Sequence, residues 1–222
     1  MLLVSPMSSV YTLKQSPYSS HMLLLSLLDP AKHGKRLLDV GCGNGFLSKL
    51  LRHQGFDVTG IEHPLGFDGE APAIVHDLEK PLPVIPGLFD VIVIGDVLEH
   101  LRCPQNLLEE LRAYLAPGGQ IIASLPNSGN LYFRLQILMG NFPEDDKGLF
   151  DRTHLHFWML ANWQNLFERS KYTFEVAEVT GIPVGLAYPS LEWLEVLCYH
   201  LARVWKTLFA YQFLSVAKLK SS

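Results

Sequence analysis

LLDVGCGNG, residues 37–45, is the stretch from which the fold of this chain can be predicted. A short apolar run ends at three glycines, which is typical of a buried parallel strand that turns sharply into a helix. The glycines permit both a tight turn and the close approach of a ligand, because they carry no Cβ. The segment GCGNGFLSKLLRHQG (41–55) predicts a turn followed by a helix that ends at Gly55.

Strand and helix patterns continue to alternate after this turn. An amphipathic helix is predicted at 104–119, and a further helix near 159–169. Alternation implies crossover connections, and therefore a mainly parallel sheet with helices on both faces. We predict a doubly wound α/β fold with a small helical cover, in which the last two of seven strands could close the sheet as an antiparallel edge. The strands are predicted at 35–40, 56–62, 73–78, 89–96, 120–126, 172–180 and 211–219.

The composition limits the class of protein. The chain has 222 residues, a net charge of −4 and three widely separated cysteines. Mild acidity argues against general nucleic-acid binding, and the cysteines fit a reducing compartment. The first residues lack the positive charge of a signal peptide, and the apolar run 22–28 is too short to span a bilayer. We expect one cytoplasmic domain over residues 1–222 without an integral membrane segment.

An acidic residue follows the glycine turn at an informative distance. Glu62 lies 21 positions after Gly41, at the end of the second predicted strand. A carboxylate at that position can accept hydrogen bonds from both hydroxyls of a ribose. Glycine turn and acid together predict the binding of a nucleoside cofactor. No tyrosine is followed by lysine four positions later, which disfavours a short-chain reductase.

Five segments together resemble class I S-adenosylmethionine-dependent methyltransferases. The likeness covers residues 18–127 and is greatest to the small-molecule branch that includes ubiquinone-pathway O-methyltransferases. Two later segments, LFDRTHLHFW (149–158) and FAYQFLSVAK (209–218), resemble bacterial methyltransferases associated with glycan or lipid modification. The five segments are LDVGCGNG (38–45), IE (61–62), HDLE (76–79), FDVIVIGDVLEHL (89–101) and LAPGGQIIASLPN (115–127).

The resemblance implies that S-adenosylmethionine is bound and S-adenosylhomocysteine released. A turn residue is the alternative interpretation of Asp77, and a carboxylate that tethers the loop is the alternative for Asp39. The implied cofactor residues are Asp39, Gly41, Gly43 and Gly45 around the methionine, Glu62 at the ribose, Asp77 and Leu78 at the adenine, and Asp96 at the methionine or the reaction mouth.

Transfer of a methyl group to oxygen requires a proton to be removed, and histidine is the natural base near neutral pH. The candidate bases are His100, His154 and His156. The residues predicted to be catalytic are His100, His154 and Asp151. The alternative for His100 is a histidine at a helix start that bonds to backbone. The alternative for the segment 149–158 is that Asp151 and Arg152 pair and tie a loop over the sheet.

A metal is the less favoured interpretation of the same region. Asp96, Glu99 and His100 would share one face of a helix, where carboxylates could bind Mg²⁺. Some ubiquinone-pathway relatives are thought to use a metal there. His154 and His156 suggest zinc, but no cysteine or further histidine accompanies them. We predict a polar cluster and no metal.

The predicted activity is methylation of a small molecule, most simply at a hydroxyl of a sugar, a lipid-linked or quinone-type compound or a natural product. The alternatives are a nicotinamide-dependent reductase or epimerase, and a non-catalytic protein that binds an adenosyl ligand. We expect the core at 18–126 and 171–220 and the substrate cover at 127–170 and 185–210. For the apolar helix 190–209 we rank three interpretations. Packing in the core or cover comes first, a homodimer face second and peripheral membrane contact third.

Overall fold

The computed structural model describes residues 16–64, 66, 73–146, 148–183 and 192–220. Strands within these ranges form one seven-stranded sheet: β1 (Arg36–Val40), β2 (Asp57–Glu62), β3 (Ala73–Val75), β4 (Phe89–Gly95), β5 (Leu115–Pro126), β6 (Glu175–Thr180) and β7 (Gln212–Lys218). Their spatial order is β3-β2-β1-β4-β5-β7-β6. The first five strands are parallel, and β7 runs antiparallel to both β5 and β6.

Helices cover both faces of the sheet. They are α1 (Ser20–Ser26), α2 (Pro30–His33), α3 (Phe46–Gln54), α4 (Pro104–Leu111), α5 (Leu131–Leu138), α6 (Leu160–Arg169), α7 (Glu192–Val204) and α8 (Lys206–Phe209). Short 3-10 turns occupy Leu98–His100, Arg112–Tyr114 and Gly148–Phe150.

Strand β4 shows how the sheet divides the core. Ile92 and Ile94 pack in the apolar cluster that α4 and α6 complete, whereas Val91 and Val93 pack in the cluster that α1 and α3 complete. Successive side chains of a strand point to opposite faces, so both faces of β4 are buried. An apolar run without alternation is what such a strand requires, and the sequence shows one.

The predicted fold is confirmed: the sheet is seven-stranded, mainly parallel and covered by helices on both sides. The prediction that a helix over 104–119 ends at Pro117-Gly118-Gly119 is wrong. Helix α4 ends at Leu111, and the Pro-Gly-Gly sequence lies within β5. The pairing register between β4 and β5 shifts beside it, because Gly118 with φ +79° lets the strand bulge.

Helix α7 buries one face and exposes the other. Tyr199 and Ala202 are buried, whereas Trp193, Val204 and the following Trp205 are 63%, 86% and 57% exposed. Core packing is therefore correct for the inner face alone, and residues 190 and 191 of the predicted helix lie outside the described ranges. The dimer and lipid interpretations of the outer face stay predictions. Among the described residues, none of the helices is both long and apolar enough to cross a bilayer.

Candidate active site

The carboxyl ends of β1 and β4 meet near the middle of the sheet. From β1 the chain moves outward through β2 to β3, whereas β4 and β5 extend the sheet in the opposite direction. Open α/β sheets bind their ligands at such a reversal, outside the carboxyl ends of the strands. The loop 41–45 follows β1 and the turn 96–101 follows β4, so both segments that the sequence singled out border this crevice.

The loop after β1 fits closely against the turn after β4. Gly41 has φ +74°, and a Cβ there would lie 2.3 Å from Cγ2 of Val97. Gly43 also has positive φ, but its Cβ would meet no described atom within 4 Å. Gly41 is thus required for packing, while Gly43 leaves space where a ligand can approach the backbone.

Glu62 ends β2 and lies against this loop. Its carboxylate accepts a hydrogen bond from the N–H of Gly43 at 2.5 Å through Oε2 and one from the N–H of His63 at 2.9 Å through Oε1. The Glu62 residue is 9% exposed. The structure thus brings together the acid and the glycine loop whose spacing suggested a nucleoside site.

Asp39 lies beneath the loop and is 2% exposed. Its Oδ2 accepts a hydrogen bond from the Ser48 hydroxyl of α3 at 2.5 Å. Burial raises the pKa of Asp39 to about 6; Ser48 opposes the rise, the charge of Glu62 adds to it, and Arg52 opposes it. Because Asp39 joins the end of β1 to α3, its geometry matches the tethering alternative.

Replacing Asp39 by asparagine should stabilise the protein in alkaline solution. The raised pKa means that the folded state binds more protons than the unfolded state between pH 3.8 and about 6, so the free energy of unfolding falls as pH rises through that window. A shift of two pKa units corresponds to about 3 kcal/mol. Urea unfolding should show Asp39→Asn more stable than wild type by about 1–3 kcal/mol near pH 8 and about equal near pH 4. A loss of stability at pH 8 would contradict this account.

Asp77 and Leu78 follow β3 in a turn at the same edge. Asp77 accepts a hydrogen bond from the Glu79 N–H at 3.0 Å and lies 3.4 Å from the Lys80 ammonium. The backbone bond is the largest cause that lowers the pKa of Asp77. Leu78 packs against the core cluster on the α4 side. The turn role of Asp77 is therefore present, and the adenine contacts of both residues stay predictions.

Asp96 follows β4 directly and joins three strands at their site-facing ends. Its φ is +53°, a conformation that costs a non-glycine residue about 1–3 kcal/mol. Its Oδ1 accepts hydrogen bonds from the Ser124 hydroxyl and the Gln212 amide, both at 2.8 Å. The carboxylate is thereby held at the crevice by β5 and β7.

The segment 151–157 lies over the turn after β4. The N–H of Leu155 donates to the carbonyl of Glu99 at 2.8 Å, and Nε2 of His156 donates to the carbonyl of Leu101 at 2.8 Å. Arg152 pairs with Asp146 at 2.9 Å. The pairing of Arg152 with Asp151 in the alternative interpretation is therefore wrong, and backbone and histidine contacts hold this segment in place instead.

Glu99, His100 and His154 form a cluster under this segment. One ligand atom of each lies within 4.8 Å of the others, and Nε2 of His154 is 3.9 Å from Oε1 of Glu99. Burial, followed by the charge of Asp96, raises the pKa of Glu99 well above its usual value. Burial, followed by the charge of His100, lowers the pKa of His154.

This cluster is the set of described residues that could hold a metal. Oε2 of Glu99 and Nδ1 of His154 are buried without a hydrogen-bond partner among the described atoms. A carboxylate and two imidazoles suit a divalent cation, and a cation could satisfy such atoms. The set differs from the one in the sequence alternative, because Asp96 is bonded elsewhere and His154 takes its place. The absence of a metal stays a prediction.

Comparison with known proteins identifies the family. The sequence profile described as methyltransferase domain matches residues 15–177, a range that includes the glycine loop, Glu62 and the turn after β4. The chain belongs to this family. A ubiquinone biosynthesis O-methyltransferase of Pseudomonas aeruginosa (strain UCBPP-PA14) is 36% identical over 110 residues, which cover 42% of this chain and 45% of the relative. The chain thus spans about half the length of the curated relatives that it matches.

Solved methyltransferase structures share the fold. An S-adenosylmethionine-dependent methyltransferase from Archaeoglobus fulgidus gives a TM-score of 0.57 at 18% identity, over 90% of this chain and 95% of that chain. Magnesium protoporphyrin IX methyltransferase from Synechocystis PCC 6803, solved with bound S-adenosylhomocysteine, gives 0.52 at 16% identity, over 82% and 73%. The resemblance to class I S-adenosylmethionine-dependent methyltransferases is therefore confirmed.

Sequence reasoning missed several residues that position this candidate site. Gln212 holds Asp96, and Thr153 contacts His100 at 3.0 Å. Asn127 and Asn130 donate side-chain hydrogen bonds to the carbonyl of Ala210 at 2.8 and 2.9 Å, which fixes the end of β5 to the start of β7. The Asn127–Asn130 spacing after a strand was a signal available in the sequence.

Proposed function

We propose that this methyltransferase transfers the methyl group of S-adenosylmethionine to a hydroxyl oxygen of a small-molecule acceptor. The contact between the Gly43 N–H and the Glu62 carboxylate carries the proposal. It places a backbone hydrogen-bond donor next to a carboxylate that can accept hydrogen bonds from both ribose hydroxyls. Family membership favours methyl transfer over a nicotinamide-dependent reaction. The similar proteins from Pseudomonas aeruginosa and Azotobacter vinelandii are named ubiquinone biosynthesis O-methyltransferases, which supports oxygen as the acceptor atom.

Glu62 and the loop would hold the nucleoside and amino-acid ends of the donor. In this proposal the ribose hydroxyls replace Gly43 and His63 as donors to Glu62, and the freed N–H groups of the loop face the methionine carboxylate. Asp77 receives the adenine amino group, with Leu78 against the ring. Asp96 faces the methionine or the reaction mouth.

In the reaction, the methyl group passes directly from the donor to the acceptor, without a covalent intermediate on the protein. The acceptor oxygen attacks the methyl carbon in line, the carbon–sulfur bond breaks, and its electron pair returns to sulfur. The sulfonium is already a good leaving group, so alignment is the main requirement. His100 borders the crevice and would take the proton that the acceptor hydroxyl loses. The side chain of His154 is only 6% exposed, and its Nε2 lies 3.9 Å from Oε1 of Glu99. We therefore give His154 a role in positioning the cluster rather than in proton transfer.

The cover would choose the acceptor. Segment 151–157 lies over the turn that carries His100, so an acceptor bound at this histidine would lie beside the segment. We propose a hydroxyl of a sugar, a lipid-linked or quinone-type compound or a natural product, in one domain that acts in the cytoplasm and binds no nucleic acid in general. A contact of α7 with a second copy or a membrane surface belongs to the same proposal.

Ligand-dependent melting tests the donor. S-Adenosylhomocysteine at about 100 times its dissociation constant should add about 2.7 kcal/mol and raise the melting temperature by roughly 5–10 °C. NAD at the same concentration should leave it unchanged. Stabilisation by NAD alone would replace the proposal with the reductase alternative. Stabilisation by S-adenosylhomocysteine without methylation of any hydroxyl compound in a broad panel would favour the non-catalytic alternative.

A further inference from the structure

We propose that Asp151 and Thr153 form a hydrogen-bond relay that places the ring proton of neutral His100 on Nδ1 and leaves the lone pair on Nε2. The inference deepens the proposed function. One part of it rests on that function, namely that the lone pair on Nε2 takes up the proton of the acceptor hydroxyl. The tautomer itself follows from contacts of described residues and can be measured without any acceptor.

The Thr153 hydroxyl has one hydrogen and two neighbours. Its Oγ1 lies 2.6 Å from Oδ1 of Asp151 and 3.0 Å from Nδ1 of His100. A hydrogen bond to a carboxylate is shorter and stronger than one to a neutral acceptor, so the hydroxyl hydrogen points to Asp151. The oxygen then offers only lone pairs to His100, which a proton on Nδ1 can satisfy.

A second, longer contact favours the same tautomer. The carbonyl oxygen of Thr153 lies 3.3 Å from Nδ1 of His100, and a carbonyl can only accept. If Nδ1 carried the lone pair, that lone pair would face the carbonyl oxygen, and the hydroxyl would have to turn away from the carboxylate. The hydrogen bond that one ring nitrogen makes decides which nitrogen is protonated.

Thr153 is itself held in place. Oδ1 of Asp151 also accepts the N–H of Thr153 at 2.8 Å, and Asp151 is 4% exposed. The relay is therefore shielded from water at its acidic end and reaches the half-buried His100 at the other. Asp151, expected from the sequence to be catalytic, becomes a positioning residue that acts through Thr153.

Nitrogen NMR of histidine-labelled protein tests the tautomer directly. Spectra are recorded with a metal chelator at a pH where His100 is neutral, and its resonances are assigned by their loss in His100→Gln. Wild type should show a protonated Nδ1 and an unprotonated Nε2. Thr153→Val removes the nearer contact and keeps the carbonyl contact at 3.3 Å, so the ring should move part of the way toward the other tautomer. Thr153→Ser, which keeps the hydroxyl, should restore the wild-type pattern. A protonated Nε2 in wild type, or no change in Thr153→Val, overturns the proposal.

Asp151→Asn is the second variant if Thr153→Val does not fold. Its amide can donate to Oγ1 of Thr153, which frees the hydroxyl hydrogen for His100 and should likewise shift the tautomer. With an identified acceptor, Thr153→Val should lower kcat about 10-fold or more at nearly unchanged affinity for S-adenosylhomocysteine, and Thr153→Ser should stay close to wild type. A shifted tautomer with unchanged kcat would support the relay, but it would contradict the proposal that His100 is the base in methyl transfer.

Discussion

Glu62→Gln should weaken the binding of S-adenosylhomocysteine by about 100-fold, or about 2.7 kcal/mol. A carboxylate can accept hydrogen bonds from both hydroxyls of a ribose, and each bond to a charged group contributes about 1.5–3 kcal/mol. The glutamine amide keeps one oxygen, which can still accept the N–H of Gly43 and preserve the loop. Its nitrogen is a donor, so one hydroxyl loses its acceptor.

Titration calorimetry measures this loss, and a matched substitution controls for it. Glu175→Gln makes the same chemical change on an exposed position of β6, at the edge of the sheet, and should leave the affinity within twofold of wild type. Thermal unfolding without ligand should show both variants folded. Wild-type affinity in folded Glu62→Gln would remove Glu62 from the ribose site and with it the reason for placing a nucleoside here.

The parts of the site that the sequence could predict are local in the chain. The glycine loop follows β1 directly, and Glu62 ends the next strand, so spacing alone brings them to one edge of a parallel sheet. The apolar run 91–94 of β4 was equally clear, because a strand buried on both faces needs apolar residues on both of them. Such patterns depend on near neighbours, and near neighbours are visible in a sequence.

The contacts that refine the site join distant segments. Gln212 and Asp96 are 116 positions apart, and Thr153 and His100 are 53 apart. A single polar side chain that crosses such a distance leaves no periodicity, so its partner cannot be found from one sequence. The end of α4 was predicted wrongly for a different reason. Pro-Gly-Gly commonly ends a helix, and only the pairing of β5 with β4 shows that these residues form a bulge within β5.

His100→Gln should lower kcat by about 100-fold or more once an acceptor has been identified, because a positioned general base contributes about 10²–10⁴. His100 lies in the turn after β4, where the sheet reverses its strand order, and it is half-buried. Glutamine keeps a polar side chain of similar length, and its amide oxygen or nitrogen can still contact Thr153. It cannot accept the acceptor's proton at neutral pH.

The substitution should separate chemistry from donor binding. Affinity for S-adenosylhomocysteine should stay within about threefold of wild type, because the expected donor contacts lie on the loop, β2 and the turn after β3, and a threefold change is less than 1 kcal/mol. His53→Gln, at an exposed position in the last turn of α3, is the matched control and should change neither quantity. An undiminished kcat in His100→Gln would mean that the acceptor ionises without this histidine, and alignment alone would then have to account for the rate.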